Sequence, residues 1–385
     1  MKKALIFTVI LLLAEVAFGQ KGNFKNSDWY VEPAFRYGII IPTVERDSAL
    51  LDYPLYGFDV RFGKQSSGSN EWEQWFNYPR YGVALRYEHN TYRLPDNYRL
   101  LGDNISALGF INGNIVKTKV FIFDYTIMGG FAYWFKRYSQ DLSNPQHENK
   151  FIGTHINVHL SLDFGVNFIV SKHVDVFARG LFSHSSNGAV KLPNWGVNMV
   201  TGQIGARYHI NERAQEIRTI DTVKFVKKNS LFISEAPGFL ESNKDNKYYF
   251  GNTLQIGYLR TFDPRFSYGG GIDIFFSHEV KSAYEEKGEL ENYNAWMSMN
   301  FAVSALFEIN YNRFVFHVGG GVYVYQPAKY LPNYYKPYYE RLGFKCLLGK
   351  NRNHYVGAML KAHLDSIDYV EWMYGFKFYN WGKKK

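Results

Sequence analysis

The sequence holds a single cysteine, Cys346, in 385 residues. One thiol excludes an intrachain disulfide framework and a cysteine-based zinc site. Long apolar runs are equally scarce. Beyond the first 19 residues none approaches the ~18 apolar residues that a membrane helix needs, which excludes a helical membrane protein. Mean hydropathy is −0.30, yet 46% of residues are hydrophobic, too many for a disordered chain. What is abundant is aromatic. The 31 Tyr, 32 Phe and 8 Trp make 18% of the chain, about twice the share in an ordinary soluble domain. A net charge of +9 favours anionic partners, such as phosphates on lipid head groups or nucleic acid.

The N-terminus reads as an address. Lys2 and Lys3 precede the apolar run Ala4 to Leu13, and Ala17-Phe18-Gly19 offers a small-x-small cleavage site before Gln20. We expect residues 1–19 to be a cleaved export signal, since the run is too short for an uncleaved anchor. Gln20 in place of cysteine argues against a lipoprotein. Export leaves nucleic acid a remote partner.

The strongest pattern is alternation of period two. Ile156, Val158, Leu160, Leu162, Phe164, Val166 and Phe168 alternate with Asn157, His159, Ser161, Asp163, Gly165 and Asn167. Successive side chains of a strand point to opposite faces, so this segment is a strand with one apolar and one polar face. The same code recurs over 200–208, 297–307, 314–324 and 370–378. A soluble sandwich and a membrane barrel both use such strands. The export signal favours the barrel. So does strand length, roughly 12 to 15 residues where a tilted membrane strand needs about 9–11. Aromatics near strand ends, namely Trp29, Tyr30, Trp134, Phe135, Tyr379 and Trp381, read as interfacial girdles.

Connection lengths supply the topology. Tight turns are expected at Asn112-Gly113-Asn114, Ser171-Lys172-His173, Asp263-Pro264, Asn310 to Asn312 and Gly349 to Asn353. Long connections fall around 42–53, 91–101, 138–153, 280–293 and 327–340. Short turns belong to the periplasm and long loops to the exterior. The run 64–79 is too long for a plain turn and suggests a short helix or plug. The charged segment 211–229 lacks the strand code and is expected to be a periplasmic connection. The expected fold is all-β: one antiparallel transmembrane β-barrel of about 14–16 strands. Residues 28–210 would carry the site and 230–381 would add further strands. Two tandem eight-stranded barrels are the alternative.

The strand from Val174 to Ser186 carries the candidate chemistry. Asp175 and Arg179 must face a polar lumen, so Val174, Val176, Ala178, Gly180 and Phe182 face lipid. That lipid side ends in His184 and Ser186. At positions i and i+2 an imidazole can serve as general base to a hydroxyl and raise its weak nucleophilicity. Polar groups on a lipid-facing wall are costly and point to function. Counting back by twos from Val200 on the next strand places Asn198 on the same face and at the same end. An asparagine can orient a histidine, as in Cys-His-Asn proteases. The amides of Asn187 and Gly188 could bind an oxyanion. An H-x-S pair alone can be a polar strand end in the head-group zone; Asn198 and the segment around Asn194 and Gly196 lift it above that.

His184-Ser185-Ser186-Asn187-Gly188, followed by Pro193-Asn194-Trp195-Gly196-Val197-Asn198, resembles the signature of the outer-membrane lipid A 3-O-deacylases, H-x-S-N and then P-N-x-G-x-E. The close match covers about residues 80–210. The resemblance implies a β-barrel with its site on the lipid-facing wall, Ser186 as nucleophile and His184 as base. The family's acid position is here Asn198. Outer-membrane phospholipase A is similar too, with H-x-S-N-G and an asparagine at that spacing, but Lys191 stands where an acidic residue would help bind calcium. The end of the chain, His363 through Asp368-Tyr369-Val370-Glu371-Trp372, resembles the C-termini of larger, two-part acyl-hydrolase relatives in Bacteroidetes-type bacteria.

Other residues read as structural. His155, His159, His173 and His209 suit lumen or turn positions better than metal ligation. Gly269 to Gly271 and Gly319 to Gly321 lie inside strands, where they permit bending or close packing. Cys346 shares an apolar face with Phe344 and Leu348, while Glu371 faces the lumen with Tyr369 and Lys377. The expected function is a serine esterase of the bacterial outer membrane acting on lipid A or lipopolysaccharide. The catalytic residues would be Ser186, His184 and Asn198, with oxyanion or support roles for Asn187, Gly188, Asn194 and Gly196. No metal or cofactor is expected, and a homodimer is possible. A phospholipase A and a non-catalytic barrel or pore are the alternatives.

Overall fold

The computed structural model describes residues 28–42, 50–211, 225, 227–241, 247–327, 336–363 and 366–379. The export signal, Trp381 and most of the 211–229 connection lie outside the described residues. Eight strands form the first sheet: β1 (Asp28–Ile41), β2 (Pro54–Gln65), β3 (Arg80–Asn90), β4 (Asn104–Lys117), β5 (Phe121–Trp134), β6 (Ile156–Ile169), β7 (Val174–Ser186) and β8 (Val197–His209). Each pairs antiparallel with its neighbour, and β8 returns to β1 with Tyr30 opposite His209 and Ile41 opposite Asn198. Eight more form a second sheet: β9 (Lys228–Glu241), β10 (Tyr248–Asp263), β11 (Phe266–Ser277), β12 (Met299–Tyr311), β13 (Phe314–Tyr325), β14 (Tyr338–Leu348), β15 (His354–His363) and β16 (Ser366–Tyr379). There β16 closes on β9, with Phe376 opposite Ile233.

The all-β transmembrane architecture is as expected, and of the two barrel readings the tandem alternative holds in place of the single large barrel. Two closed barrels of eight strands stand in its place. Closure is decided by which strand β8 and β16 pair with, and each pairs back to the first strand of its own half. Two compact units divide the chain. The first holds β1–β8, except Ser186 at the end of β7, without two of their connections. The second holds those connections, Tyr138–Thr154 and Ser186–Gly196, with β9–β16.

The strand code has its expected sense. In β7, Asp175, Phe177, Arg179, Leu181 and Ser183 are buried while Val176 and Phe182 are exposed. The interior of the first barrel is filled by ion pairs. Arg86 holds Asp59 through two hydrogen bonds of 2.9 and 3.0 Å, Arg61 holds Asp163 at 2.6 Å, and Arg36 reaches Glu88 at 3.2 Å. His209 bridges Asp28 and Asp175 at 2.7 and 3.1 Å, and His159 meets Arg86 at 3.2 Å. In the second barrel Arg341 joins Glu371 at 2.6 Å and Asp273 at 3.2 Å, while Lys345 and Lys377 both hold Glu308 at 2.8 Å. Charges removed from water require such partners. The lumen side of Glu371 is thus as expected.

Some local expectations shift. Asn112 to Asn114 lies inside β4, and the turn sits at 118–120, where Thr118 Oγ1 accepts the amides of Val120 and Phe121. The run 64–79 does contain a helix, α1 (Glu71–Trp75), with Asn70 and Glu73 forming its capping box. Met297 and Ser298 belong to a short 3-10 segment before β12. Tyr30 and Trp134 are not girdle aromatics: each is at most 1% exposed and points inward.

Candidate active site at the ends of β7 and β8

The last turn of alternation in β7 places His184 and Ser186 on the side opposite buried Ser183 and Ser185. Their backbones are about 7 Å apart along the strand. In β8 the same alternation puts Asn198 outward between buried Val197 and Met199. His184 and Asn198 are direct cross-strand partners. Their side chains meet at 2.7 Å, His184 Nδ1 to Asn198 Oδ1. An amide oxygen can only accept, so Nδ1 carries the proton in this contact and Nε2 is left as the basic nitrogen.

The two adjacent serines have opposite fates. Ser185 is fully buried and accepts a 2.9 Å hydrogen bond from Trp134 Nε1. Ser186 is 6% exposed, and its hydroxyl has no hydrogen-bond partner among the described residues. Only Ser186 shares the outward parity of the imidazole.

Beyond Ser186 the chain turns through Gly188, whose φ of +66° is a conformation suited to glycine. Asn187 folds the loop on itself. Its side-chain amide donates to Lys191 O at 2.7 Å, and its own backbone N–H donates to Asn194 Oδ1 at 3.0 Å. The Asn187 amide expected to receive an oxyanion is therefore already engaged. The Gly188 amide has no acceptor among the described residues. The loop is clasped by the other long connection: Trp195 and Gly196 donate their amides to the carbonyls of Lys150 and Phe151 at 3.1 and 3.0 Å. Phe151 stacks edge-on against Trp195, with ring centroids 5.7 Å apart. A Cβ on Gly153 would lie 2.6 Å from the carbonyl oxygens of Lys191 and Pro193.

Three supporting residues escaped sequence reasoning. Trp134 could have been found from parity, because it shares its side of β5 with Asp124 and Thr126. Gly153 and Glu241 carried no local signal. Glu241 ends β9, and its carboxylate accepts the Leu192 amide at 2.6 Å and meets Lys191 Nζ at 3.4 Å.

Family comparison bears on the same stretch. Residues 56–207 match the family described as lipid A 3-O-deacylase (PagL), and residues 220–381 match the acyloxyacyl hydrolase C-terminal domain. No curated protein matches the chain. Among solved structures, Neisserial surface protein A is 14% identical over 47% of this chain and 96% of its own, with a TM-score of 0.29. The Pseudomonas putida toluene transporter TodX is 8% identical over 93% and 89%, with a TM-score of 0.17. Pseudomonas aeruginosa OccK5 is 8% identical over 93% and 99%, with a TM-score of 0.22. The two family matches together span residues 56–381, with the segment bearing His184, Ser186 and Asn198, and the chain belongs to the lipid A 3-O-deacylase family, as a two-barrel ester hydrolase of the outer membrane.

Proposed function

We propose that this protein is a serine esterase that removes one ester-linked acyl chain from lipid A in the outer leaflet. The observation that supports this most is the 2.7 Å contact between His184 and Asn198 on the outward side of two paired strands. A polar dyad on that side acts on a lipid that stays in the membrane. His184 Nε2 takes the proton of Ser186 as Oγ adds to the ester carbonyl carbon. The oxyanion forms against the Gly188 amide. Collapse of this intermediate breaks the C–O ester bond, and His184 returns the proton to the departing sugar hydroxyl. Water, deprotonated by His184, then hydrolyses the acyl-serine ester, and fatty acid leaves. Asn198 keeps the imidazole in the tautomer that this sequence needs.

The amide in place of a carboxylate at position 198 also supports a phospholipase A reading with the same Ser-His-Asn chemistry. Lipid extracts from cells carrying the protein or its Ser186→Ala variant separate the two by mass spectrometry. The proposal expects lipid A to lose one acyl chain only with the unaltered protein. Lysophospholipid accumulation with intact lipid A would favour the phospholipase. Unchanged lipids in both would leave a non-catalytic barrel.

A further inference from the structure

We infer that Glu241, at the end of β9, is a positioning residue for the loop that follows the nucleophile. Within the second unit its carboxylate fixes the 186–196 segment and sets the Gly188 amide. This rests on the serine-esterase reading above and gives the C-terminal barrel a part in the reaction.

Glu241 is 5% exposed. A carboxylate that far from water must be paired, and both of its oxygens face the loop. One accepts the Leu192 amide at 2.6 Å, a short charge-assisted bond, and the other meets Lys191 Nζ at 3.4 Å. Lys191 in turn is joined by its backbone to the Asn187 side chain, at 3.4 Å through its amide and 2.7 Å through its carbonyl. Asn187 is held again by Asn194. The grip of Glu241 is thus transmitted in two steps to the residue beside the oxyanion amide. A second contact works on Gly188 itself: a Cβ there would lie 2.2 Å from Val370 Cγ2 of β16. The backbone at Gly188 therefore rests directly on the wall of the second barrel. An amide donor must be aimed before the oxyanion forms, because reorientation during the reaction forfeits the gain.

The test uses the full-length protein in detergent, with purified lipid A as substrate and a fluorophosphonate as a probe of Ser186. Heat-modifiable gel mobility reports whether the barrels are folded. In folded Glu241→Ala, kcat and the phosphonylation rate should fall on the order of tenfold to a hundredfold, with KM within about threefold. Glu241→Gln still accepts the Leu192 amide and should recover to within about fivefold of the unaltered rate. Glu241→Asp keeps the charge but withdraws it by one methylene, and should be slower than Glu241→Gln. If the alanine variant does not fold, the order of the Gln and Asp variants decides. Unaltered rates in folded Ala and Asp variants, or Asp faster than Gln, overturn the inference alone. An unaltered protein that neither takes the label nor releases fatty acid overturns the esterase reading and this inference with it.

Discussion

Trp134 donates its indole N–H to Ser185 Oγ at 2.9 Å, inside the first barrel. The serine beside the candidate nucleophile is thereby committed to packing. Ser185→Ala should leave kcat within about threefold and cost about 1–3 kcal/mol, because the buried indole N–H loses its acceptor. Ser186→Ala should reduce kcat on the order of ten-thousandfold or more with unchanged stability. Fatty-acid release and the melting of gel mobility measure the two effects. Equal loss of activity in both variants would mean that parity does not select the nucleophile.

Asn198 holds His184 from the facing strand. Asn198→Ala should lower kcat roughly tenfold to a hundredfold with little change in KM, since the imidazole loses its preferred tautomer and orientation. Asn198→Glu should retain or raise activity, because a carboxylate accepts the same N–H and also stabilises the imidazolium. Steady-state kinetics on lipid A reads both. Equal activity of all three proteins would remove Asn198 from the mechanism.

Arg341 neutralises Glu371 and Asp273 inside the second barrel. Arg341→Met should destabilise that barrel by about 3–5 kcal/mol, because two buried carboxylates lose their counter-ion. Adding Glu371→Gln should restore part of the loss. Urea unfolding in detergent followed by tryptophan fluorescence measures the difference, and additive losses in the double variant would argue that the pair is not coupled.

Ile204 is 63% exposed, midway along β8 between Phe35 and Ala178. Ile204→Arg should cost about 2–4 kcal/mol in a bilayer, as charges on the lipid face of a barrel do near the midplane. The same change in a soluble protein would be close to neutral at so exposed a position. Refolding into phospholipid vesicles under urea gives the value.

How much of this was legible follows from what alternation can carry. Period two assigns a side to every residue of a strand, so the outward placement of His184, Ser186 and Asn198 could be counted from Arg179 and Val200. The same rule would have turned Tyr30 inward, since it shares parity with Glu32 and Arg36. Treating strand-end aromatics as girdle residues overrode that signal. Barrel number lay beyond local pattern altogether. Whether β8 pairs with the next strand, β9, or returns to the distant β1 is not written in either strand, and both choices present the same alternating code. The hold of Glu241 on Leu192 is of the same kind: a contact across 49 residues leaves no trace in spacing.

The outward dyad changes what concentration means for this enzyme. On the proposed mechanism a substrate meets His184 and Asn198 while lying in the membrane and is presented by diffusion in two dimensions, so the rate should follow its mole fraction in the surface. Diluting lipid A with inert detergent at constant bulk amount should slow turnover, whereas diluting the whole suspension with micelles of fixed composition should hardly alter it.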